Sequence, residues 1–552
     1  MPRSRGLVVA AATVLLVAAA SAGSPTDGRD DYPVGVVTHS SGIYVVGWST
    51  DPTTGIDFQT LKYDASGTLL WSTAFPDTSV TYRTDSATAV AVDTWGNAYV
   101  VGNCWDSAHS ESWVAVVKYN PDGEKLAEAK YDSSGLDECV YAAAVDRWGN
   151  LCAAGASRGS SGAVFLTLAY DTACNFRWAG YHRRAFDDSA VARDIAVDGV
   201  GLVYVAGESF RLDRSYTCVT LQYSGSTVRC SLFYTHTGEH TAGLAIAVAD
   251  TDKFYVVGPC RHDTAPDYLT IYCELPNPSP QAIRVYSGSG LRWDRATDVA
   301  IDDSGYVYVA GLSANPGGRY DIVTLKYRGG TLDSLWCQRA VANDTNRFGI
   351  VRLAPGRGGD RATGHIHVGG TAMQAGQGND FAVVTYRTSD AGLTWSTPYD
   401  GPDHGDDRLT GIAVDEAGDV YVVGASDAPG SGSDFVTMKL DGDSGDSVWA
   451  ERWDREDDGI DEDKTAAAIP RVHVNSLITA GRPATVRYSL PGVARGVIEL
   501  WNTAGMRVLT KELPRRSKGA VAIEASKLGA GVYFLHLRAS DLLVRRKVIM
   551  QR

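Results

Sequence analysis

One motif recurs eight times along the chain, and this recurrence limits the available folds more than any other property. A short apolar segment, in most copies an aromatic residue, Val and one further residue, ends in glycine at Gly47, Gly102, Gly155, Gly207, Gly258, Gly311, Gly370 and Gly424, at intervals of 51 to 59 residues. The fullest copy, residues 406–424, reads as strand, tight turn and strand. Unit one shows the whole phrase: residues 34–38, 42–47, 57–63 and 69–75 are four apolar or alternating segments joined by short polar loops. That pattern predicts a small antiparallel meander. A period of this length built only of strand signals points to sheets set around an axis rather than stacked in a line. A lone four-stranded sheet has two faces to cover, and neighbours on both sides cover them while leaving only short edges. The expectation is an all-β ring, an eight-bladed β-propeller, with seven blades and one detached terminal unit as the alternative. Unit one has its own first strand, so closure needs none from the C-terminal end.

Within each unit the polar residues read mainly as turn chemistry. In Asp93-Thr-Trp-Gly96, Asp146-Arg-Trp-Gly149, Asp302-Asp-Ser-Gly305 and Asp415-Glu-Ala-Gly418 the Asp can cap the turn, and the Gly accepts positive φ. The glycine closing each repeated segment suggests a bend or a close backbone approach. Trp71, Trp178, Trp336, Trp395 and Trp449 recur in the last strand of their units, which marks them as packing between blades rather than as a sugar platform.

The ends of the chain differ from this middle. Residues 1–22 read as a secretory signal: Arg3 and Arg5, an apolar run, then Ala20-Ser21-Ala22 as cleavage site. The run is too short to favour a membrane anchor, and no later apolar stretch is long enough to span, so no transmembrane segment is expected after signal removal. Residues 23–33 form a leader, 34–454 the ring, 455–470 an acidic linker and 471–552 a separate module of short strands, which suits a small immunoglobulin-like sandwich. Residues 23–470 hold 34 basic and 61 acidic side chains, whereas 471–552 hold 15 basic and 4 acidic. The strongly acidic ring is a poor match for nucleic acid, whose phosphates need a positive surface. All nine cysteines lie between Cys104 and Cys337. Export permits disulfides, and Cys218 with Cys230, or Cys260 with Cys273, flank connections that would let them face one another. The odd total leaves at least one thiol unpaired within a monomer.

Four local patterns bear on chemistry. Thr388-Ser-Asp390-Ala-Gly392-Leu-Thr394-Trp395 resembles the Asp-box of sialidases and other propellers, which implies a structural hairpin turn whose Trp packs between blades. A sialidase would also need clustered arginines and a nucleophilic Tyr with a carboxylate, and spacing alone does not assemble Arg183, Arg184, Arg211 and Arg214 into such a group. Asp441-Gly-Asp443-Ser-Gly-Asp446 resembles part of a calcium loop but lacks the terminal Glu and flanking helices of an EF-hand. His365 and His367 share a strand face and read as surface or rim residues, no third ligand being identifiable. With no Gly-X-Ser-X-Gly elbow, His-Glu-X-X-His or phosphate loop, no residue is assigned a catalytic, cofactor-binding or metal role, and no cofactor is expected.

Two family resemblances follow. Residues 30–454 resemble the bacterial β-propeller repeat family labelled SBBP, through Asp406-Asp407, Gly411-Ile-Ala-Val-Asp415, Gly418-Asp-Val-Tyr-Val-Val-Gly424, Asp434-Phe-Val-Thr-Met-Lys439 and Val448-Trp449. That resemblance implies the ring and no common activity. Residues 471–552 resemble C-terminal secretion-sorting modules related to the immunoglobulin-like domain of hook-capping proteins, through Tyr488-Ser-Leu-Pro491, Ile498-Glu-Leu-Trp-Asn-Thr-Ala-Gly505, Leu528-Gly-Ala-Gly-Val-Tyr-Phe534 and Arg545-Arg-Lys-Val-Ile-Met550. This implies passage through an outer-membrane, type IX secretion machinery. The expected protein is a secreted or cell-surface, noncatalytic binding or structural scaffold whose partner is an extracellular protein or glycan. The competing expectation is an extracellular hydrolase or lyase acting on polysaccharide.

Overall fold

A computed structural model describes residues 30–455, apart from short internal segments, and the strands between 471 and 551. The signal segment and most of the acidic linker lie outside the described residues. The chain divides into two compact units, residues 1–458 and 459–552.

The first unit holds thirty-two strands in eight four-stranded meanders, at 31–75, 83–131, 137–182, 187–234, 245–286, 294–344, 351–399 and 407–453. We number these blades one to eight. Pairing within each is antiparallel, and blades one and two are also bridged by a two-residue parallel register, Gly55 to Arg83 and Ile56 to Thr84. First strands of successive blades touch one another all the way round, from Asp31–His39 of blade one to Asp407–Val414 of blade eight and back. The structure is therefore a closed eight-bladed propeller with first strands innermost. At the seam Val36, Val45, Leu61 and Tyr63 of blade one form one buried cluster with Tyr421, Val423, Phe435 and Trp453 of blade eight.

Why the signature must end in glycine is visible in the inner strands. In six blades the first strand carries a bulge at the residue following the partner of that glycine: Val34, Thr88, Tyr141, Arg193, Thr297 and Thr410. The bulge drives a carbonyl toward the second strand. A Cβ would stand 2.1 Å from the Tyr32 oxygen at Gly47, 2.3 Å from Ser86 at Gly102, 1.9 Å from Cys139 at Gly155 and 2.0 Å from Arg295 at Gly311. The glycine supplies room for this close approach.

The other repeated residues reach across to the next blade. Tyr44 donates to the Gly96 carbonyl at 2.6 Å and Tyr99 to Gly149 at 2.8 Å. Lys62 and Trp71 share the Pro121 carbonyl at 2.7 and 3.1 Å, and Lys326 and Trp336 share that of Thr388 at 2.7 and 3.3 Å. Lys439 and Trp449 share that of Ala65 at 3.4 and 3.1 Å, tying blade eight to blade one by the same device. The turns behave as their sequence implies. Asp93 Oδ1 accepts from the Trp95 and Asn97 amides at 3.0 and 2.9 Å, and Gly96 has φ +83°.

The cysteine expectation is corrected: no disulfide forms among the described residues. Cys218 pairs with Tyr234 and Cys230 with Gln222, so the two stand four ladder positions apart, roughly 13 Å. Cys260 pairs with Asp267 and Cys273 with Phe254, a still larger offset. A bridge needs Cα atoms within about 7 Å.

The second unit has a three-stranded sheet, Arg471–His473, Pro483–Ser489 and Lys518–Glu524, and a five-stranded sheet, Leu477–Thr479, Leu542–Gln551, Gly531–Ala539, Gly496–Asn502 and Arg507–Glu512. Ile498, Leu500 and Leu535 are fully buried on one face. This is the make-up of a small immunoglobulin-like sandwich.

Candidate functional site

Most residues weighed from sequence serve the frame. The Asp390 turn connects the last two strands of blade seven, with the Gly392 amide donating to Asp390 Oδ1 at 2.9 Å. Trp395 is buried and donates to the Gly442 carbonyl of blade eight at 3.0 Å, so the motif packs blades as expected. Asp441 accepts from the Asp443 and Ser444 amides at 3.1 and 2.8 Å and acts as an ordinary turn cap. His365 is partly buried, but His367 is 1% exposed, so the rim reading is corrected for it: its ring lies 5.6 Å from that of Trp395 and its Nδ1 meets Thr385 Oγ1 at 2.7 Å. Arg183 donates to the Ser161 and Asp188 carbonyls, and Arg184 lies over the Phe233 ring at 4.4 Å. Arg211 ends a strand, and Arg214 lies outside the described residues.

The arginines that do approach one another sit elsewhere, on the innermost strands. Arg193 fills the bulge of blade four where blades two, six and eight have Thr88, Thr297 and Thr410. Those threonines fold back onto second-strand carbonyls, Val101, Ala310 and Val423. Arginine is too long for that role, and its guanidinium instead grips Glu208 on the second strand, Nε to Oε1 at 3.0 Å. It also lies 5.6 Å from the ring of Tyr141, the bulge residue of blade three. Although burial works against its charge, Glu208 holds the Arg193 guanidinium above its usual range.

Arg295 and Arg352 come from blades six and seven. Burial pulls Arg295 down; Glu208 opposes this, while Arg193 and Arg352 add to it. Arg352 is buried, and burial lowers it too, against the pull of Asp298 and Asp194. Those two acids are inter-blade ties: Asp194 Oδ2 accepts from the Ile246 amide and Asp298 Oδ2 from the Leu353 amide, both at 2.8 Å. Burial raises Asp298 to about 6. Arg352 Nη2 has no hydrogen-bond partner among the described residues.

The group thus combines three guanidiniums, the Glu208 carboxylate, two backbone-bound aspartates and a tyrosine. Arginine keeps its proton, so these three side chains can hold an anionic group but cannot transfer a proton. Glu208 is committed to Arg193. Replacing Glu208 by Gln is expected to cost about 2 kcal/mol of stability, the worth of a charge-assisted hydrogen bond, read as a lower urea midpoint that partly recovers in high salt. Sequence reading missed this group because its members come from four units. The available signal was arginine or tyrosine where the repeat places threonine.

Comparison with protein families bears on the second unit. Residues 484–551 match the family described as secretion system C-terminal sorting domain. The chain carries a C-terminal sorting domain. The protein is accordingly secreted or displayed at the cell surface. No curated protein matches the sequence. Among solved structures, Sqt1 from Chaetomium thermophilum has 13% identity and a TM-score of 0.42, with 72% of this chain and 95% of that one covered. The WD40 domain of SCAP from fission yeast has 10% identity and a TM-score of 0.40, covering 79% and 99%. A polysaccharide lyase of the PL25 ulvan lyase family has 10% identity and a TM-score of 0.34, covering 77% and 95%. None reaches a TM-score of 0.5, and none bears on what this chain does.

Proposed function

We propose that this protein is a noncatalytic extracellular scaffold. Its ring is an SBBP-type repeat propeller at 34–454, and the module at 471–552 carries it through a type IX outer-membrane machinery after removal of a signal segment at 1–22. The observation that carries the export half of this reading is the sorting-domain match at 484–551. The scaffold half is supported by the fate of the recurrent polar side chains. Tyr, Lys, Trp and turn Asp of the repeat are bound to backbone of their own or the next blade, as in Tyr44, Lys62, Trp71 and Asp93. Side chains spent on the frame leave contacts with a partner protein or glycan to the loops.

Deleting 471–552 is expected to abolish appearance of the protein outside the cell, with the ring accumulating in the periplasm. Normal export and surface retention of the truncated chain would refute the sorting role. A second reading, a polysaccharide hydrolase or lyase, draws on the Arg193–Glu208 pair beside Tyr141, whose company of arginines suits an anionic sugar. Assays on uronate-containing and neutral polysaccharides separate the two. Product release by the purified protein that is lost in Arg193→Ala would favour the enzyme, and binding without product release favours the scaffold.

A further inference from the structure

Five blades close their first hairpin with the same turn, and one side chain in it is not used by the frame. Asp93, Asp146, Asp198, Asp302 and Asp415 each accept, at 2.9 to 3.0 Å, the amide of the residue two places on. A glycine at positive φ follows in every case, Gly96, Gly149, Gly201, Gly305 and Gly418. Only the amide of the residue before that glycine serves the turn, and its side chain is Ser304 in blade six and Ala417 in blade eight. In the neighbouring blades two, three and four it is Trp95, Trp148 and Val200, exposed by 60%, 42% and 55%.

Other exposed apolar residues follow the repeat: Leu70, Leu335 and Val448 each directly precede the fourth-strand Trp of their blade. Trp95 and Trp148 do not. They also differ from the interblade Trp71, Trp336 and Trp449, whose Nε1 groups donate to backbone. Among the described residues the Nε1 groups of Trp95 and Trp148 have no acceptor.

The rings are held in line. A Cβ on Gly149 would stand 3.0 Å from Trp95 Cζ3, and one on Gly201 2.9 Å from Trp148 Cζ3. Each indole therefore rests by its edge on the turn of the next blade, beside the next exposed residue, and the three side chains make one continuous ladder. The Arg147 guanidinium lies 4.2 Å from the centre of the Trp148 ring, which brings N–H donors to the ladder. A ring already fixed in place loses little freedom when something stacks on it.

Size and charge limit what covers this ladder. The two indoles expose roughly 250 Å² between them, well short of the about 800 Å² per partner of a stable protein interface. Nucleic-acid bases also stack on aromatic rings, but residues 23–470 hold 61 acidic against 34 basic side chains, which repels phosphate. A neutral sugar chain meets both limits. Its pyranose rings offer flat C–H faces to the indoles, and its hydroxyls suit Arg147 and the indole N–H groups.

We propose that Trp95, Trp148 and Val200 form a binding strip for a neutral polysaccharide across blades two to four. This rests on the scaffold reading and makes the partner a glycan rather than a protein.

The full mature chain is run by affinity electrophoresis through gels containing laminarin, hydroxyethyl cellulose, xylan or galactomannan, with alginate as the anionic control. At least one neutral polymer should retard it, and alginate should not. Trp95→Ala and Trp148→Ala should each weaken that binding at least about tenfold, the loss of an aromatic anchor, while melting with the wild type, because the turn uses only their amides. Val448→Ser should bind as the wild type does. No retardation by any neutral polymer, or retardation that survives both Trp variants, overturns the strip and leaves the scaffold reading untouched. Sedimentation that shows dimers dissociated by Trp148→Ala assigns the ladder to a second copy of the chain and likewise overturns it. Release of reducing ends by the wild type, with binding still lost in the Trp variants, keeps the strip and overturns the noncatalytic reading instead.

Discussion

Replacing Gly155 by alanine is expected to weaken the ring by about 3 kcal/mol or more, the upper part of the range for overpacking a filled interior. The added methyl would stand 1.9 Å from the Cys139 oxygen and 2.6 Å from Val140 Cα, both backbone atoms of the bulged strand opposite. A side-chain rotation cannot relieve such a clash. The first strand must either shed its bulge or part from its neighbour, and the bulge residue there is Tyr141, which packs toward Arg193. The control is Gly199→Ala in the turn of blade four, where an added Cβ meets nothing within 4 Å; its midpoint should move by no more than about 0.5 kcal/mol equivalent. Urea unfolding of the two variants beside the wild type measures the contrast. Equal midpoints would mean that the signature glycine is dispensable and that the repeat owes it to something other than space.

The second large effect concerns acid. Burial, with His365 adding to it, lowers His367 from 6.5 to about 3, so the folded protein holds this imidazole neutral while the unfolded chain takes up a proton below about 6.5. The folded value lies below the unfolded one. The stabilising contribution is therefore complete above pH 6.5 and drains away as pH falls from there toward 3. Each pH unit in that window is worth up to about 1.4 kcal/mol, so some 2 kcal/mol should be gone by about pH 5. In His367→Gln, which keeps a polar group facing Thr385 Oγ1, stability at pH 7.5 should be lower but its slope between pH 6.5 and 5 should be shallower by one proton. Parallel slopes in both proteins would show that His367 titrates normally.

Much of the frame could be read from residue order, because each blade repeats the same physical solution. The Asp93 and Asp415 turns, the Tyr-Val-X-Gly strands and the fourth-strand Trp residues each make a local or nearest-neighbour contact, and such contacts leave a periodic trace. The errors arose where one residue of register matters. Cys218 and Cys230 flank a single turn, yet the pairing sets them four positions apart. His367 lies on the same strand face as its partly exposed neighbour His365, but Trp395 and Thr385 close over it. The Arg193, Arg295 and Arg352 group was illegible for a different reason: it gathers residues from separate blades, and period says nothing about what meets across a blade boundary.

The seam between blades one and eight has a consequence of its own. Blade one is complete at 31–75 and blade eight at 407–453, with neither lending a strand to the other. Such a circle can lengthen or shorten in evolution by gene duplication or loss of a whole module, since no hydrogen-bonded sheet is cut by the junction. Its module number then follows from the wedge angle that neighbouring side chains enforce. The free terminus beyond the last module can carry a passenger address label without the circle having to change.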